Sequence, residues 1–177
     1  ETADLNSGDT RNQPVTLFES LVESITLGHS NVSIGLLDYC DPNLQPIKAR
    51  LGKVKDRKEQ RSLLKSNPLH LACIRGDPIL VRALLAKGCK ANQPDSSGSF
   101  PIHLACSHLE QTADSDEEDV ARRECVRMLL GAGTPIAIKD GNKQTILHSA
   151  ARSGHIKLLR FIMSEWRKAS DAPNGIK

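Results

Sequence analysis

The chain has 177 residues, of which 38% are hydrophobic and 25% charged, with a net charge of +3. That length suits one domain with a sizeable core that folds in water. The charge is too small to argue for nucleic acid by itself, and no apolar run approaches the roughly 18 residues of a membrane span.

Aromatic residues make up only 3% of the chain. A core of Leu, Ile, Val and Ala suits close-packed helices better than a β-sandwich. The five cysteines are odd in number and sit mostly within apolar stretches. They read as reduced core thiols of an intracellular protein, cytoplasmic or nuclear. The opening Glu1-Thr2-Ala3-Asp4 lacks the pattern of a signal peptide, and the sequon Asn31-Val32-Ser33 stands alone.

In chain order, residues 1–14 are expected to be a flexible segment. Residues 15–44 predict a helix pair: Leu17, Leu21 and Ile25 fall on one helical face, with Glu19 and Glu23 elsewhere, before Gly28-His29. Residues 45–65, within "PIKARLGKVKDRKEQRSLLK", carry eight Lys or Arg against two acids. This reads as a solvated loop or short helix. A polyanion or nuclear-import patch is the alternative, without the interleaved aromatics expected for nucleic acid.

Residues 66–98 hold "NPLHLACIRGD", then "LVRALLAKGC". Asn67 suits an N-cap and Pro68 the first helical position. Gly76 suits the helix end, Pro78 the start of the next helix, and Gly88 its end. Residues 99–143 repeat the pattern as "FPIHLACSHLE" and "CVRMLLGAGT", 33 residues on, with Gly133 in the place of Gly88. Phe100 cannot cap, which weakens that helix start by roughly 1 kcal/mol. An insertion of 12 residues begins at Leu109, where the other units have glycine. Without that stop the first helix is expected to run on through Glu110. Ser115 or Asp116 then caps a lengthened "DEEDVARRECVRMLL" helix, with Glu118 completing a capping box. The acidic run is either a solvated helix start or a knob for a basic partner, and Ser115 is a candidate phosphosite.

Residues 144–170 give the third copy, "TILHSAARSGH" and "LLRFIMSEWR", with Thr145 as cap and Gly154 as helix stop. Val81, Leu84 and Leu85 correspond to Val126, Leu129 and Leu130, then to Leu159, Ile162 and Met163. The last helix is apolar on several sides, unlike a closing cap. Either more chain follows or a partner covers this end, with Trp166 an anchor or a satellite core residue. Residues 171–177 read as a tail.

The 33-residue step, the "NPLHLAC" start and the turns in "DSSGSFPIHLAC" and "KDGNKQTILHSAA" resemble ankyrin repeats over residues 66–163. Residues 15–44 resemble a degenerate N-capping unit, with polar Glu23 in the place of inward Leu71. The fold class is then all-α: an ankyrin-repeat α-solenoid of about four helix-turn-helix units with short β-turn or hairpin fingers. The resemblance implies a concave binding surface of turn tips and first-helix ends. In the second unit this is Ile74, Arg75, Ser96 and Ser97. In the third it is Ser99, Ser107, His108 and Asn142, and in the last Gln144, Arg152 and Ser153.

His103, Cys106 and His108 first suggest a metal or thiol site, since His103 and Cys106 share a helical face. However, His103 recurs as His70 and His148, and Cys106 as Cys73 and Ala151. A residue that recurs at the repeat period has a repeat-level explanation, and the resemblance implies that this histidine ties neighbouring turns. No Gly-rich phosphate loop, serine elbow or paired metal motif is present. The expectation is a non-catalytic module that binds another protein, with no cofactor, membrane or small-molecule substrate and with nucleic acid disfavoured. A regulatory segment of a larger enzyme or channel is the alternative, and a metal or thiol site at His103 and Cys106 the second.

Overall fold

The computed structural model describes residues 13–41, 43, 67–107 and 116–171. The basic segment, His108, Leu109 and Ser115 lie outside the described residues. Eight helices occur among those described: α1 (Gln13–Leu27), α2 (Ser30–Leu36), α3 (Pro68–Arg75), α4 (Pro78–Ala86), α5 (Pro101–Ala105), α6 (Asp116–Gly131), α7 (Ile146–Ser153) and α8 (Ile156–Asp171).

Local chemistry sets their ends. Asn67 accepts the His70 backbone N–H at 3.0 Å, and Pro68 occupies the first turn of α3. Asp77 caps α4 through Ile79 and Leu80, both at 3.0 Å, a cap hidden in the Gly-Asp-Pro stretch. Thr145 and His148 bond reciprocally at the start of α7, with Thr145 N–H donating to His148 Nδ1 at 3.2 Å. Phe100 gives α5 no side-chain cap. Gly76, Gly88, Gly133 and Gly154 all have positive φ, between 68° and 89°, at the ends of α3, α4, α6 and α7.

The helices form two rows. Along the first row, α1 packs on α3, α3 on α5 and α5 on α7; along the second, α2 packs on α4, α4 on α6 and α6 on α8. The first and second helices of each pair also pack together. One pair cannot bury its apolar stripe alone, so each neighbour completes the core of the last. Leu69, Leu84, Ile102, Leu129, Ile146 and Leu158 are fully buried in this core. Cys73, Cys106 and Cys125 fill it as small apolar groups at 0% exposure. On α1, Leu21 and Ile25 are buried and Glu23 is exposed. Phe18 and Val22 are buried too, because α1 meets both α2 and α3.

One expectation is corrected. Helix α5 stops at Ala105 and does not run on through Glu110. Side chains take up the carbonyls at its end. Ser107 Oγ donates to Leu104 O at 2.9 Å, and Ser153 Oγ donates to Cys106 O at 2.8 Å. Arg122, only 3% exposed, reaches from α6 to Ala105 O at 3.3 Å and Ser107 O at 3.0 Å. The same guanidinium donates to Ile74 O at 3.3 Å and to Glu118 at 3.0 Å. A Cβ on Gly76 would stand 3.2 Å from the Arg122 stem, so this arginine lies across two helix ends at once. The second helix of this unit is longer than its counterpart, 16 residues against 9 in α4.

Candidate interaction edge

Two turns project beside the first-helix row. In the first, Asp95 Oδ1 accepts from the backbone N–H groups of Ser97 at 2.8 Å and Ser99 at 2.9 Å. In the second, Asp140 Oδ1 accepts from Asn142 at 2.9 Å and Gln144 at 2.8 Å. Each aspartate thus folds its own turn. The expected hairpin is reduced, among the described residues, to one bridge between Lys139 and Thr145.

Each turn is fastened to what precedes it. His70 Nε2 lies 3.2 Å from Ser99 O, and His103 Nε2 lies 3.0 Å from Gln144 O. The turns also touch each other, since Gly141 N–H donates to Gly98 O at 3.0 Å. A Cβ on Gly141 would come within 2.7 Å of Ser97 O, so only glycine allows this approach. The two turn tips are therefore one braced ledge.

On this ledge Ser96, Ser97 and Asn142 are exposed, and Ser99 and Gln144 are half-buried. Arg152 is exposed and donates to the Gln144 side chain. Other candidate positions have structural duties. Ile74 is only 8% exposed. Arg75 is exposed but donates to Thr26 O at 2.6 Å, across to α1. Ser107 and Ser153 help to terminate α5, as above. Trp166 is half-buried against the core at the far end of the second row.

The last unit leaves its outer face open. Leu69 and Ile102 are fully buried, whereas the equivalent Leu147 is half-exposed. His70 and His103 are buried, whereas His148 is exposed. Met163 on α8 is 56% exposed.

Burial lowers the pKa of His70 and of His103, with carbonyl contacts and a nearby aspartate opposing it. The His103 ring donates to Gln144 O through Nε2, so its Nδ1 carries the lone pair, and this buried atom has no partner. At the equivalent place His70 Nδ1 lies 2.6 Å from Asn67 Oδ1. The difference follows from Phe100 standing where the first copy has Asn67. Burial pushes the Cys106 thiol up to about 12, the opposite of a metal ligand or nucleophile. Among the described residues no group of three or more His, Cys, Asp or Glu could hold a metal ion. No helix among them is long and apolar enough to cross a membrane.

Repeated helix pairs, capped by glycine and joined through histidine to the next turn, define a stacked-repeat binding fold. Two family models described as ankyrin repeats (many copies) match residues 56–107 and 121–162, together more than half of the chain. The chain belongs to the ankyrin-repeat family. It is 32% identical over 101 residues to human NF-kappa-B inhibitor alpha, covering 57% of this chain and 30% of that protein. It is 29% identical to zebrafish (Danio rerio) inversin over 110 residues, 59% of this chain and 10% of inversin. It is 37% identical to human ankyrin repeat and SOCS box protein 16 over 87 residues, 49% of this chain and 17% of that protein. The matched regions thus span less than a third of each of these relatives.

Proposed function

We propose that this chain is a non-catalytic protein-interaction module, a scaffold or adaptor unit, that binds its partner along the ledge of turn tips and first-helix ends. One observation carries the reading. The packing positions repeat from unit to unit, whereas the exposed tips differ: Ser96-Ser97 in one turn and Gly141-Asn142 in the next. A surface that varies on a constant frame can distinguish partners. Cytoplasmic or nuclear residence fits the five free thiols. A second reading, a regulatory segment within a longer protein, is favoured by the small share of each relative that the matches span. In either case the acidic run at the start of α6 would meet a basic segment of a partner, and Ser115 is the residue whose phosphorylation would add charge there.

Tagged protein provides the test: Ser97→Trp and Asn142→Trp should abolish partner capture from cells, while Arg82→Trp, on the exposed face of α4, should not. Capture that survives both ledge substitutions and fails with Arg82→Trp would transfer the binding surface to the second-helix row.

A further inference from the structure

The first turn places Gly98 at φ 79°, in the left-handed region where a Cβ crowds the following carbonyl. The equivalent residue of the second turn is Lys143, at φ 62°. Among the described residues it is the only non-glycine with positive φ. The turn itself has no use for a lysine side chain. Its bonds run from backbone amides to Asp140, including Lys143 N–H to Asp140 O at 2.9 Å. Backbone strain of this kind persists where the surrounding structure enforces it, and it clusters at functional sites.

The surroundings indicate the use. Lys143 is exposed, and so is Lys139 at the base of the same turn, opposite Thr145. Arg152 is held beside the turn by the Gln144 side chain. None of these three cations is paired with a carboxylate. The only acid in the turn, Asp140, spends Oδ1 on two backbone amides. The first turn has the opposite character, with Asp95 and no cation from residue 91 to residue 99.

We propose that the turn at residues 139–145 is the anion-reading element of the ledge, with Lys143 as the leading contact for an acidic, carboxylate-rich peptide segment of the partner. This rests on the ledge being the binding surface. The left-handed backbone projects the lysine from the tip, and the brace between Gly141 and Gly98 holds that tip still. Lys139 and Arg152 supply supporting charge.

The probe is synthetic hexaglutamate, titrated at low salt into the 15N-labelled chain, with hexaglutamine as the neutral control. Backbone amides 141–144 should shift with hexaglutamate and not with hexaglutamine, and the shifts should fade as salt is raised. Lys143→Gln should weaken binding at that turn by about threefold, as for an exposed charge pair. Lys143→Gly should weaken it equally while raising Tm by about 2–4 °C, because glycine relieves the backbone. Shifts confined to other segments, Lys143→Gln binding like wild type, or Lys143→Gly melting no higher than wild type would each overturn the assignment. If that happens while Ser97→Trp still abolishes partner capture, the ledge stands and only the role of Lys143 falls. If Ser97→Trp and Asn142→Trp are harmless as well, the ledge itself falls.

Discussion

Replacing Asn67 with alanine removes two contacts from one buried oxygen. Asn67 is 4% exposed and His70 fully buried. Oδ1 accepts the His70 backbone N–H at 3.0 Å and lies 2.6 Å from the ring Nδ1. Loss of an N-cap costs about 1 kcal/mol. A buried ring nitrogen left without a partner costs about 1–3 kcal/mol more. With Nδ1–H as the single donor of the neutral ring, the sum is about 2–4 kcal/mol. Thr145→Ala is the internal control, because it removes the residue at the same position, whose hydroxyl lies 2.9 Å from His148 Nδ1, where His148 is exposed and water can replace the lost contact. That variant should cost only about 1 kcal/mol. Urea unfolding at pH 7.5 measures both. A cost for Asn67→Ala no greater than that for Thr145→Ala would refute the claim that the buried histidine contact, and not the cap alone, carries the stability of this helix start.

Three further predictions concern the frame. Arg122→Met should destabilise by roughly 3 kcal/mol, since it strands the carbonyls of Ile74 and Ala105 in buried positions. Arg122→Lys should recover less than half, lacking the guanidinium fork, and thermal melts decide both. Burial lowers the pKa of His70 and His103 below the 6.5 of the exposed group. The unfolded chain therefore binds more protons as pH falls, so stability should hold above pH 7 and decline as pH drops through about 6.5. His103→Gln should flatten that slope in urea unfolding repeated across pH, and an unchanged slope would contradict the assignment. Gly141→Ala should push the two turns apart at a cost of about 1 kcal/mol or more, and hydrogen exchange at the 141 amide should speed up.

The frame was legible because its signals recur. A histidine, a glycine or a Leu-Leu pair returning at a fixed step has only a repeat to explain it, and the structure places the glycines at helix ends, His70 and His103 against the next turn, and Leu84 and Leu129 in the core. The stop of α5 was not legible. Glycine ends the other first helices from within the chain segment itself, whereas α5 relies on Arg122 and Ser153 from later helices. In sequence Arg122 is one more charge in "DEEDVARRE", and nothing local separates it from its neighbour Arg123, which is half-exposed and pairs with Asp119 on the same helix. Lys143 was missed for a different reason. Aligning "DSSGS" with "DGNKQ" sets it against Gly98, and that pairing alone would have indicated the left-handed backbone. The sequence also gives no sign that the hydroxyls of Ser107 and Ser153 bond carbonyls at the end of α5.

The most direct test of the ledge is photo-crosslinking in cells, with a photoreactive amino acid placed in turn at Ser97, Asn142, Arg82 and Lys168. The ledge account predicts that positions 97 and 142 crosslink to one shared partner, while positions 82 and 168, on the second-helix row, give none. A partner trapped from 82 or 168 and never from 97 or 142 would contradict it.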